Sequence, residues 1–75
     1  MSRYFFDVQL DHGLFPDKEG TELADISAAE AEANAILAEL PRVRAGEACS
    51  ATVTGRDESF HSVLEGRLTV EVTKL

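Results

Sequence analysis

The sequence has little of what small proteins commonly use to hold themselves together. One cysteine in 75 residues excludes an intrachain disulfide and with it a disulfide-stapled scaffold. Tryptophan is absent, methionine occurs once, and ten of the apolar residues are alanine, so the core must be thin. No apolar run approaches the ~18 residues a membrane-spanning helix needs, and no membrane partner is expected. Two prolines and five glycines are too few for a low-complexity chain. Basic residues are scarce: 7 stand against 14 acidic ones, a net charge of −7. Neutralising nucleic-acid phosphates needs clustered Lys and Arg. The nearest approach to a cluster is Arg42 and Arg44, so no nucleic-acid partner is expected. The opening Met-Ser-Arg-Tyr-Phe-Phe-Asp offers only three consecutive apolar residues, which is not an export signal, and a cytoplasmic location is expected.

The motifs of common site chemistry are missing too. There is no CxxC, HxxxH or HxH spacing for a metal, no GxGxxG and no P-loop. No metal, cofactor or catalytic constellation is expected. His12 and His61 are the only imidazoles, read as a hairpin-tip residue and an outward strand residue. Cys49 reads as a small, partly buried strand residue.

What is present is clear periodicity, enough for one α+β domain over residues 1–75. Tyr4, Phe6, Val8 and Leu10 alternate with Arg3, Phe5, Asp7 and Gln9, which predicts a strand with one buried face. Asp11-His12-Gly13 then suits a hairpin connection with Gly13 in the left-handed position. Leu14-Phe15 begins a second strand that Pro16 cuts short, because proline has no N–H for a ladder. Pro16-Asp17-Lys18-Glu19-Gly20 is turn chemistry: the Asp17 side chain can bond the backbone ahead, and Gly20 can close with positive φ. Thr21-Glu22-Leu23 is extended, with Leu23 anchored on the core.

The helix is predicted over residues 28–40. Ser27-Ala28-Ala29-Glu30 reads as a capping box, with Asp25 a rival cap. Ala29, Ala33, Ile36, Leu37 and Leu40 form one stripe, and Pro41 ends it. Arg42 and Arg44 follow the negative helix end, where cations are favourable. Most of the acid excess lies between positions 17 and 39 and reads as a solvated face.

Period two then returns. Cys49, Ala51 and Val53 form one face of a strand, Gly55-Arg56-Asp57-Glu58 a polar turn, and Phe60, Ser62 and Leu64 a further strand. Glu65-Gly66 reads as a tight turn before Leu68, Val70 and Val72. The expected architecture is two-layer: a mainly antiparallel sheet with one helix on one face, in the order ββ-α-ββ(β).

The run Arg3-Tyr4-Phe5-Phe6, then Gly13, then Asp17-x-Glu19-Gly20-Thr21-Glu22-Leu23 with Asp25, resembles a family of small proteins. These come mainly from rhizobia and other Alphaproteobacteria, begin Pro-Arg-Tyr-Phe-Phe, and are catalogued as a domain of unknown function. Ser2 stands where that family has proline, and the resemblance covers residues 3–40. It implies no catalytic residues. Over the same residues the order of strands, turns and helix is similar to HicB-type antitoxins. The Pro-Gly-Cys element and C-terminal DNA-binding segment of those proteins are absent.

These readings point to a non-catalytic interaction or regulatory module acting as a homodimer or with a protein partner. The candidate interface is Phe5, Phe15 and Val63 on the sheet face the helix leaves open. The alternative is a small ligand-binding or enzymatic domain using Asp7, Asp11 and His12 near the hairpin tip.

Overall fold

The computed structural model describes residues 1–11, 13–40, 49–70 and 75. Strand β1 (Ser2–Leu10) is followed by β2 (Gly13–Phe15), β3 (Thr21–Leu23), helix α1 (Ile26–Ala38), β4 (Cys49–Arg56) and β5 (Ser62–Val70). The strands make one antiparallel sheet in the order β2-β1-β4-β5, with β3 also paired to β1. One helix on one face of an antiparallel sheet is the expected α+β layering.

The alternation read along β1 sets the two faces. Phe6 pairs with Gly55, Val8 with Val53 and Leu10 with Ala51, all on the helix side. Phe5 pairs with Arg56, Asp7 with Thr54 and Gln9 with Thr52 on the other face. Tyr4, Phe6, Val53, Ala29 and Ala33 form the buried cluster, and Val8, Leu23, Ile36, Leu37 and Leu64 pack around it. Val53 is the largest side chain wholly removed from water, worth roughly 1.5–3 kcal/mol. Alanine at 29 and 33 brings the helix backbone close to the sheet, so a chain poor in large apolar residues still closes its core.

The helix begins earlier than the capping box implied. Asp25 is the N-cap, with an extended backbone (φ −162°), and its Oδ1 accepts the Ala28 N–H at 2.9 Å. Ser27 therefore lies inside the first turn. A carboxylate at the positive helix end outcompetes the serine hydroxyl. The helix stops at Ala38, just short of Pro41. Pro41, Arg42 and Arg44 lie outside the described residues, as do His12 and Val72.

Three further expectations are corrected. Gly13 is the first residue of β2 and pairs with Leu10, so it belongs to the ladder and not to the connection. Gly55 and Arg56 belong to β4, not to a turn, because a side chain at 55 would collide with Leu64, whose Cγ lies 2.7 Å from an added Cβ. Glu65 and Gly66 lie in the middle of one continuous β5. An added Cβ at Gly66 would stand 3.1 Å from Leu37 Cδ1, so this glycine admits the helix and does not turn the chain. The real turn is 57–61.

Candidate functional site

The polar groups of the open sheet face converge on Arg56. It ends β4 opposite Phe5. Its Nε lies 2.7 Å from Asp7 Oδ2, and its Nη2 donates to Asp7 Oδ1 at 3.1 Å. The Nε contact is one of charge: that N–H is buried without an aligned acceptor. The guanidinium also lies against two neighbouring rings, 5.5 Å from the centre of Phe5 and 5.3 Å from that of Phe60. Both ionic partners are about four-fifths covered (22% and 19% exposed), so the pair is far less screened than a surface salt bridge.

Phe60 reaches this position at a conformational cost. It has φ +64°, a region that a bulky side chain enters at roughly 1–3 kcal/mol. Its ring meets Phe5 at 5.7 Å, tilted by 35°, and covers Arg56. Asp57 organises the turn beneath it, its Oδ1 accepting the N–H groups of Ser59 (2.9 Å) and His61 (3.0 Å). The alternation placed Phe60 in a strand. The structure places it in the turn, still 64% exposed.

Asp17 closes the other side of the cluster. β2 covers residues 8–10 of β1 and β3 covers residues 2–4, which leaves a gap between them. The Phe6 N–H points into that gap, and Asp17 Oδ2 accepts it at 3.1 Å. Asp17 Oδ1 accepts the N–H groups of Glu19 (3.1 Å) and Gly20 (3.0 Å), the turn bonding that the sequence implied. The Asp17 N–H donates to Asp7 Oδ1 at 2.9 Å, which ties the turn to the Arg56 pair. Gly20, at φ +74°, lies against β1: an added Cβ would stand 3.0 Å from the Tyr4 carbonyl oxygen and 2.8 Å from Arg3 Cγ. Arg3 holds the turn from outside through the Glu19 carbonyl (2.7 Å) and Glu22 (3.2 Å). Burial pushes the Asp17 carboxyl up. Three accepted backbone N–H bonds and the Arg56 charge outweigh it and hold the group below its ordinary value.

The residues that carried the family resemblance are thus the ones that knit β1 to its covering turn. The sequence profile of a domain of unknown function, DUF6894, matches residues 3–69. The chain belongs to this family. No curated protein and no solved structure matches it. In this DUF6894 domain the match runs well past residue 40, through β4 and into β5.

The residues singled out from the sequence do not meet. Phe5 is on the open face but lies under Arg56 and Phe60. Phe15 pairs with Val8, which belongs to the helix side, and is half exposed. Val63 lines a shallow recess of about 470 Å³ with Tyr4, Ile26 and Glu58. Asp7 is engaged by Arg56. Asp11, four residues on and just past the end of β1, so about 13 Å away, accepts the Ser50 hydroxyl at 3.3 Å. His12 lies outside the described residues. His61 is exposed beside Asp57, 3.9 Å away. Among the described residues no group of three or more His, Cys, Asp or Glu side chains could hold a metal ion. Also among them, no helix is long and apolar enough to cross a membrane.

Sequence reasoning missed Arg56 and Phe60. The available signal was the odd spacing of Gly55: a glycine directly after Val53-Thr54 can extend a strand where a large neighbour needs the space, and Arg56 is then carried onto the face of Phe5.

Proposed function

We propose that this protein is a non-catalytic interaction module that works by associating through its sheet, with itself or with a partner protein. The observation that carries the reading is the outer edge of β5. Eight of its nine residues pair with β4 on one side, Val63 being passed over at a register shift, and nothing among the described residues pairs with the strand on the other. An uncovered strand of this length is a template for another strand. Val63 and Leu68, each 41% exposed, add apolar surface along it. The cluster on the open face supports the same reading, because Asp7 and Asp17 are engaged by Arg56 and by backbone N–H groups.

Sedimentation equilibrium at about 100 µM tests the self-association branch, a concentration suited to contacts worth ~5–6 kcal/mol. A mass above the monomer is expected. A monomer there, with no protein recovered in stoichiometric amount on purification from its native cell, overturns the reading. A reproducible thermal shift with a small metabolite would favour the ligand-binding alternative.

A further inference from the structure

Resting on that reading, we infer that β5 pairs with β5 of a second copy, antiparallel, about a two-fold axis through Gly66. β5 runs from Ser62 to Val70, and Gly66 is its middle residue. The residues around it read Leu64-Glu65-Gly66-Arg67-Leu68, a sequence complementary to its own reverse. An antiparallel pair centred on Gly66 sets Glu65 opposite Arg67 of the second copy, and Arg67 opposite its Glu65. Leu64 then faces Leu68 of the copy, and the reverse.

The faces agree with this register. Glu65 and Arg67 pair with Thr54 and Thr52 on the open face, while Leu64 and Leu68 pair with Gly55 and Ala51 on the helix side. Charge therefore meets opposite charge on one face, and leucine meets leucine on the other. Opposite charges directly across a strand pair stabilise it and like charges destabilise it. Moving the axis onto Glu65 or onto Arg67 would set that residue against its own copy. Both neighbouring registers that keep the faces matched are thus penalised. Two copies joined this way make one continuous sheet with both helices on the same side, a closed two-fold assembly. In the single chain Arg67 Nε lies 2.6 Å from Glu65 Oε1, and both side chains are largely in water (75% and 47% exposed). They can exchange this local contact for the intermolecular one at little cost.

The test uses two single variants and their mixture. Glu65→Arg carries two cations on the strand, and Arg67→Glu carries two anions. Each alone places like charges opposite one another across the axis, and the dimer dissociation constant should rise on the order of tenfold or more. An equimolar mixture restores both cross-strand pairs between unlike chains, and the wild-type mass should return. The pair within each chain is not restored by mixing, so only an intermolecular contact can produce this recovery. Two variants that stay dissociated when mixed overturn the Gly66 register. A dimer that neither variant weakens places the contact elsewhere and overturns the inference while sparing the broader reading. A wild-type chain that is monomeric throughout removes the homodimer on which the inference rests.

Discussion

The two edges of the sheet are treated in opposite ways. Along β1 the chain covers its own edge: β2 and β3 pair at either end, and the Asp17 carboxylate takes the Phe6 N–H between them. Along β5, nine residues present an edge that nothing among the described residues pairs. Pro16 shortened the second strand as the sequence implied, and the gap this leaves in the β1 edge is filled by the side chain of the next residue. A chain that uses a turn of five residues and a largely covered ion pair to close one edge shows that an open edge is something it is able to avoid. The β5 edge is accordingly the one on which the proposed association rests.

Breaking the closed edge at its centre should have the largest effect. Arg56→Met keeps much of the stem beside Phe5 and Phe60 but leaves Asp7 without its cation. The variant should lose about 2–3 kcal/mol in denaturant unfolding, since removing one partner of a covered pair strands the other charge. Phe5→Glu belongs to the same class. Because Phe5 lies under Arg56 and Phe60, it would report on folding and not on association.

Loosening the cover at Asp17 should cost less and should show in the pH dependence. The folded carboxyl is held below its ordinary value of 3.8, so its contribution is present above that value. It is lost as pH falls from there through the lowered folded value. Asp17→Asn should be about 1–2 kcal/mol less stable at neutral pH, because one of its two acceptors is gone. Its stability should also change less than the wild type's between neutral pH and pH values below the ordinary carboxylate range. Parallel acid limbs would show that Asp17 does not hold the turn in its ionised form.

Much of this difference between the edges was legible in the sequence, and the failures have one cause. Strict alternation placed Tyr4, Phe6 and Val53 inward. The Ala29-Ala33-Ile36-Leu37 stripe gave the helix its buried face. Asp17 and Gly20 were readable as turn residues because their local bonding needs no distant partner. What the sequence concealed were positions where a distant neighbour decides. Gly55 and Gly66 look like turn residues, but Leu64 and Leu37 occupy the space their side chains would need. Arg56 and Phe60 look like turn and strand residues, but the ring of Phe5, far away along the chain, brings them together. The interface expected from Phe5, Phe15 and Val63 assumed one shared face, and the pairing of Phe15 with Val8 distributes them otherwise.

The smallest expected effect sharpens the comparison from outside it. Asp25 caps the helix that covers both halves of the core, so Asp25→Ala should cost ~1 kcal/mol. Ser27→Ala, inside the exposed first turn, should stay within about 0.5 kcal/mol of wild type. Reversed values in thermal unfolding would return the helix start to Ser27.

Amide hydrogen exchange, followed residue by residue in dilute and in concentrated protein, tests the contrast between the edges most directly. The Phe6 amide should be protected at both concentrations, because Asp17 covers it within one chain. Alternate amides of β5, those pointing away from β4, should exchange freely in dilute solution and become protected as concentration rises. Protection of those β5 amides at the lowest concentration, or free exchange at Phe6, would contradict the account of one closed and one open edge.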